Sequence, residues 1–223
     1  MTPEEFRKLG HRLIDWVADY RTRASSQSIT TQVKPGAIKA GFPVDPPQQA
    51  ESIDNLLADV EKLIMPGITH WQHPRFFAYF PSNSLLSSVL GDYLATGLGV
   101  LGLSWASSPA LTEVEEVATD WMRRMLGLSD AWSGVIQDTA SSCTLVALLS
   151  ARERSTGYGA NKGGLQAEEK PLIVYGSSQS HSSVDKAALL AGFGRDNIRH
   201  VATDAAFGMQ PAALRAAIEA DLA

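Results

Sequence analysis

Three short segments carry residue types and spacings that could do chemistry. In Gly134-Val-Ile-Gln-Asp-Thr-Ala-Ser-Ser142 an apolar pair runs directly into a hydroxyl-rich stretch that opens a helical pattern. The first N–H groups of a helix lack intrahelical partners, and the helix dipole places positive potential there. With the hydroxyls of Thr139 and Ser141 they would form a phosphate site. Thr and Ser also cap many helices that bind nothing, and the two roles are compatible. The second segment, Gln179-Ser-His-Ser-Ser183, places His181 just after an expected strand and just before an expected helix, where open α/β sheets bind ligands. A histidine there can equally serve as a hydrogen-bonding loop residue. The third, Thr69 to Pro81, crowds His70, Trp71, His73, Phe76, Phe77, Tyr79 and Phe80 outside any amphipathic helix; it suits a flat organic ligand or an aromatic core plug.

Other chemistries fit less well. The glycines of a Walker loop or a dinucleotide fingerprint are missing from the 134–142 segment. A serine hydrolase built on His181 with Ser104 or Ser141 lacks a G-x-S-x-G elbow and an acid to orient the histidine. His70 and His73 have no cluster of Cys or carboxylates beside them, so no metal site is expected. Cys143 is the single cysteine, which excludes an internal disulfide and agrees with a reducing compartment. The net charge is -5, with Lys and Arg scattered, so neither nucleic acid nor an anionic membrane is expected as a partner. Met1 to Arg12 lacks the apolar run of a signal peptide, and no run reaches the roughly 18 apolar residues of a membrane span. A cytoplasmic protein is expected.

The elements that must position these segments follow from periodicity. With 223 residues, 44% of them hydrophobic, the chain can bury a real core. Thr2-Pro3-Glu4-Glu5 supplies an N-cap, a proline at the first helical position and a capping-box Glu, ahead of Phe6, Leu9, Leu13, Trp16, Val17 and Tyr20 at helical spacing. A proline- and glycine-rich stretch to Gln49 predicts an extended connection, and Ser52 predicts the cap of a second helix that Pro66-Gly67 ends. Both helices should lie on another surface, either the rest of the chain or a second subunit. A largely buried helix is expected from Ser84 to Leu101, and another from a Ser108 cap and Pro109 to a stop at Gly127. Beyond it the pattern alternates. Strands are expected at Val135-Ile136, Leu172 to Tyr175 and Ile198 to Val201, and helices at Ser141 to Arg154, Ser182 to Ala191 and Pro211 onward. Gly157 to Lys170 reads as a solvated loop. Such alternation implies an α/β fold with a parallel sheet. Three strands are few for that class, so the sequence reads as part of a larger α/β domain.

The order and wording of the motifs resemble one family. His73-Pro-Arg-Phe-Phe-Ala-Tyr-Phe-Pro81, Gly102-Leu-Ser-Trp-Ala-Ser-Ser-Pro109 with Thr112-Glu113, Gly134 to Ser141 and Gln179 to Val184 are similar to the group II pyridoxal-phosphate-dependent amino-acid decarboxylases. The likeness is nearest to their aromatic L-amino-acid branch and covers nearly the whole chain, including Val60-Glu-Lys-Leu-Ile-Met-Pro-Gly67. It implies a helical arm with an aromatic substrate-pocket segment over residues 1–82. Over 83–223 it implies the first part of the large domain of an aspartate aminotransferase-like, fold type I enzyme. It further implies that Thr139, Ala140 and Ser141 bind the phosphate of pyridoxal 5'-phosphate, while His181 stacks on the pyridine ring near the substrate carboxylate. Trp71, Tyr79, Phe80 and Ser82 match the substrate pocket, and Leu101 and Leu103 match positions that reach the neighbouring subunit's site in a homodimer. The implied reaction removes the α-carboxylate of an L-amino acid as CO2, with the cofactor as electron sink.

In that family the Schiff-base lysine, the ring-nitrogen aspartate and the mobile loop fall beyond the position of residue 223. The sequence also departs from the pattern: Asp138 stands where many relatives have Gly, Ser142 where they often have Glu, and Leu103 where the animal enzymes have an aromatic. The chain is expected to be the N-terminal part of an aromatic amino-acid decarboxylase whose remainder is missing from this chain or supplied as a separate C-terminal chain. The alternative is a non-catalytic remnant acting in dimerisation or cofactor binding. Lys8, Lys34, Lys39, Lys62, Lys162, Lys170 and Lys186 all lack a matching context. Borohydride reduction in the presence of pyridoxal phosphate should therefore leave no stoichiometric label on any of these seven lysines. A peptide map placing the label on one of them would overturn this expectation.

Overall fold

A computed structural model describes residues 1–80 and 84–223. The chain divides into two compact units, Met1–Val100 and Leu101–Ala223.

The first unit opens on α1 (Pro3–Arg23), and its start is the expected capping box. The Glu5 N–H donates to Thr2 Oγ1 at 3.2 Å, and the Thr2 N–H donates to Glu5 Oε2 at 2.7 Å. The proline-rich connection is extended apart from one turn, α2 (Ala37–Ala40). Ser52 caps α3 (Ile53–Asp59) by accepting from the Asn55 N–H, and the helical path continues through a π-helical stretch, Val60–Ile64, to a 3-10 turn at Met65–Gly67. Arg12–Asp54 and Arg23–Glu61 ion pairs join α1 to this path, and the Trp16 indole donates to Glu61 at 2.8 Å. Exposed pairs of this kind contribute little energy but define which faces meet.

Ala24, Met65 and Phe76 are buried in this unit together with His70 and His73. Both rings serve the fold. His73 Nδ1 accepts from the Arg75 N–H at 3.0 Å, so its proton sits on Nε2, 3.1 Å from the Ser25 carbonyl oxygen. His70 Nδ1 lies 3.0 Å from the Tyr20 hydroxyl. Burial first, and the neighbouring His73 second, hold the His70 imidazole below its ordinary range.

The last helix of the unit, α4 (Leu86–Leu98), corrects an expectation. Predicted to be largely buried, it leaves Leu94 63% and Leu98 67% exposed. Its apolar residues run around more of its circumference than one neighbour can cover, and in this chain that neighbour is α1. The Phe6 and Tyr93 rings stack at 6.2 Å, beside an apolar groove of about 320 Å³ between Leu13, Ile14 and Val17 on one side and Leu86, Val89 and Leu90 on the other. These contacts group α4 with the first unit.

In the second unit, α5 (Pro109–Met125) starts as expected. Ser108 caps it by accepting from the Leu111 N–H, and Gly127 leaves it at φ +70°. There follow α6 (Ala140–Ser155), α7 (Ala160–Gly163), β1 (Val174–Ser177), α8 (Ser183–Leu190), β2 (Ile198–Val201) and α9 (Pro211–Leu222). β1 and β2 pair in parallel from Val174↔Ile198 to Ser177↔Val201, with α8 as the crossover that parallel strands require. The strand expected at Val135-Ile136 is not formed, so two of three expected strands are present among the described residues. Glu115 Oε1, on α5, accepts from the Ile136 N–H at 2.7 Å, satisfying by a side chain the donor that a ladder would have used. The expected loop Gly157 to Lys170 is partly wound, into α7 and a 3-10 turn at Leu165–Ala167.

The core of this unit is Val174, Ala188, Ala191 and Phe193, with Leu145, Leu148 and Leu149 of α6 and Ile198 of β2 packed on it. Ala188 is fully buried, so α8 lies close against its neighbours where a larger side chain would hold it off. Arg152, in the last turn of α6, donates to the carbonyl of Ala191 at the end of α8 at 2.8 Å. Asp221 ties α9 to both strands, accepting from the Tyr175 hydroxyl at 2.7 Å and from the Arg199 guanidinium. No helix among the described residues is long and apolar enough to cross a membrane.

Two outcomes follow. Phe193→Ala removes the largest ring of the second core and should destabilise the protein by roughly 3–5 kcal/mol in denaturant unfolding. Because the His70 pKa is lowered on folding, the unfolded chain takes up the proton first. The stability this histidine supports is complete above about pH 6.5 and is lost as pH falls through its folded value. Relative to His70→Asn, the wild type should lose thermal stability between about pH 7.5 and about pH 5.5. A constant difference across that range would overturn the assignment.

Candidate functional site

The phosphate turn is built by the start of α6. Thr139 is extended and caps the helix: its Oγ1 accepts from the Ser142 N–H at 3.2 Å, and its carbonyl accepts from the Cys143 N–H at 3.0 Å. The N–H groups of Ala140 and Ser141 and the Ser141 hydroxyl have no hydrogen-bond partner among the described residues, and both residues are exposed. Two amides and a hydroxyl at the positive end of a 16-residue helix are the donor set an anionic phosphate needs. These residues therefore fit the phosphate of pyridoxal phosphate. Asp138 lies at the same turn. Hydrogen bonding from the Ser142 side chain, then from the N–H groups of Asp138 and Thr139, holds its carboxyl below the usual carboxylate range.

What holds the turn in place is its approach to α5. Besides the Glu115 link to Ile136, the backbone at Gly134 passes so near α5 that a Cβ there would lie 2.8 Å from the Cβ of Thr119. Only glycine is accommodated at that distance.

His181 sits five positions before the middle of α8, in the loop that leaves β1. The loop is tightly turned: the Ser177 N–H donates to Ser180 Oγ at 3.0 Å, and the Ser180 N–H donates to the Ser177 carbonyl at 3.0 Å. The ring is exposed on one side and fixed on the other. Ser183 is buried; its N–H donates to His181 Nδ1 at 3.2 Å, and its Oγ lies 3.0 Å from the same nitrogen. Since Nδ1 accepts, the neutral ring carries its proton on Nε2.

The last turns of α6 and α8 meet through Arg152 and the Ala191 carbonyl, and Leu145, Leu148 and Leu149 of α6 pack on the core that α8 enters through Ala188. Thr139, Ala140 and Ser141 open α6, and His181 stands in the loop between β1 and α8. Leu101 and Leu103 are elsewhere in this unit, 75% and 84% exposed; the Leu101 carbonyl accepts from the Ser107 hydroxyl at 3.1 Å.

In the first unit Trp71 and Tyr79 stack at 5.6 Å, with Phe76 tilted against Trp71 at 5.0 Å. Tyr79 takes a left-handed φ of +59°, a strained conformation for an aromatic residue, and the stack holds it there. Phe80 stands outside the stack at 94% exposure. Ser82 lies outside the described residues. Sequence reasoning missed Phe76 as the buried base of this stack and Ser183 as the partner of His181. The second was within reach, because a Ser two positions after a histidine at a helix start can return both hydroxyl and N–H to the ring.

Residues 35–223 match the model of the pyridoxal-dependent decarboxylase conserved domain. The chain is 41% identical over 234 residues to the aromatic-L-amino-acid decarboxylase of Bos taurus, covering 100% of this chain and 47% of that protein. It superimposes on Catharanthus roseus tryptophan decarboxylase in complex with L-tryptophan with a TM-score of 0.91 at 36% identity, covering 100% of this chain and 48% of that one. A structure of Oryza sativa TDC with PLP matches with a TM-score of 0.91 at 32% identity, covering 100% of this chain and 49% of that one. The chain spans about half the length of the relatives it matches. The chain belongs to the pyridoxal-dependent decarboxylase family.

Proposed function

We propose that the protein to which this chain belongs decarboxylates an L-amino acid with an aromatic side chain, giving the amine and CO2. In this reading the chain supplies the phosphate turn, a histidine over the cofactor ring and part of the substrate wall. The observation that carries the proposal is the set of free donors of Ala140 and Ser141 at the start of α6, and the fixed ring of His181 before α8 supports it. The aromatic substrate class is supported by the relatives, an aromatic-L-amino-acid decarboxylase and a tryptophan decarboxylase holding L-tryptophan.

Bound there, pyridoxal phosphate supplies the electron sink that takes up the pair left behind when the carboxylate departs. The chain's own residues do the rest of the work proposed for it. The N–H groups of Ala140 and Ser141 and the Ser141 hydroxyl donate to phosphate oxygens, with Thr139 shaping the turn and the α6 dipole adding attraction. His181 presents its ring face and its Nε2–H, the face to the cofactor ring and the proton to the substrate carboxylate. The family resemblance assigns a substrate-pocket role to Trp71, Tyr79 and Phe80. Leu101 and Leu103, both exposed here, reach the site of a second copy in a homodimer.

Two variants of the full-length protein separate these roles. His181→Ala should lower kcat by roughly 10²–10⁴-fold while cofactor affinity changes much less, because the phosphate anchor remains. Ser141→Ala should show the opposite balance. A lost hydrogen bond to a charged group costs about 1.5–3 kcal/mol, so cofactor binding should weaken by about 10- to 150-fold, with kcat recovered at saturating cofactor. Full recovery of His181→Ala by added cofactor alone would show that the histidine is a structural loop residue.

A further inference from the structure

We infer that Ser183 is a positioning residue that fixes the orientation and tautomer of His181; the inference rests on the role proposed above for that histidine. Ser183 is the first residue of α8, and its N–H is one of the donors a helix start leaves unpaired. Ser182, at the cap position, makes no side-chain cap hydrogen bond. The imidazole takes that place: Nδ1 accepts the Ser183 N–H at 3.2 Å, and Ser183 Oγ lies 3.0 Å from the same atom. Two donors converge on one lone pair, so the ring is held against rotation and Nδ1 cannot carry the proton of the neutral form. Nε2–H is left pointing away from the helix start as a hydrogen-bond donor.

Burial makes the arrangement one-directional. Ser183 is 7% exposed and fixed in the helix, whereas His181 belongs to the exposed loop, so the serine positions the histidine. The loop reinforces this, since the His181 carbonyl accepts from the Val184 N–H at 3.0 Å. The ring is thereby gripped at Nδ1 while its backbone is tied into the first turn of α8. A substrate carboxylate would meet a donor aimed in advance, without the rotamer search an exposed histidine otherwise makes.

The experiment compares Ser183→Ala, Ser183→Thr and His181→Ala in the full-length protein, with ¹⁵N-histidine spectra of the first two and of the wild type. Wild-type His181 should show a protonated Nε2 and an acceptor Nδ1. Ser183→Ala keeps the N–H and loses the hydroxyl; it should show mixed tautomers and a kcat about five- to tenfold lower, with KM and cofactor affinity within about twofold. Ser183→Thr restores the hydroxyl and should recover both the spectrum and the rate. A wild-type spectrum with the proton on Nδ1 would overturn the inference without any variant, even if Ser183→Ala fails to fold. If His181→Ala is impaired while Ser183→Ala matches the wild type in both spectrum and rate, the inference fails and the histidine's role stands. If His181→Ala itself is unimpaired, the underlying reading fails as well.

Discussion

The arrangement of the second unit depends on a constraint at helix ends: the first amides of a helix have no partners within it. α6 and α8 both present such ends, and the contact between Arg152 and the Ala191 carbonyl joins the two helices where they finish. The two ends are then used differently. At α8 the free donor is turned inward onto His181, which orders a side chain. At α6 two donors are left facing outward, which makes a place for an anion. The parallel pairing of β1 and β2 follows the same polarity, since a strand that runs into α8 must exit where α8 begins.

The first unit is organised by polar contacts around a small apolar interior. Its two buried histidines each have a hydrogen-bonding partner, Tyr20 for one and the Ser25 carbonyl for the other, and these tie the aromatic segment to α1 and the turn after it. The stack of Trp71, Phe76 and Tyr79 is anchored by that pinning, with Phe76 buried beneath. An aromatic segment so held can present flat surfaces without being part of a core.

Much of this was legible in the sequence where the signal is local. The capping box of α1, the Ser108–Pro109 start and Gly127 stop of α5, and the strand Ile198–Val201 all appear where the residues place them. A cap or a helix-ending glycine acts through neighbours a few positions away, which the chain order displays directly. What was misread depends on distant partners. Val135 and Ile136 have the composition of a strand, but a strand exists only beside another, and here Glu115 claims the Ile136 N–H. α4 has the composition of a buried helix, but burial is a property of what surrounds it. In the candidate site the turn at Thr139 to Ser141 was legible because a helix start is local, while the packing of α6 on α8 depends on a contact 39 residues apart in sequence.

The close approach at Gly134 bears on how the anion turn can be redesigned. Its separation from Thr119 is too small for a side chain without a shift, so the approach to the turn is attached to α5 there, with the Glu115 link to Ile136 as a second point of attachment. Changes aimed at admitting a different anion can be made at positions 138–142, where side chains face solvent or one another. A change at position 134 would instead shift the whole loop relative to its support, and every donor in it would move together.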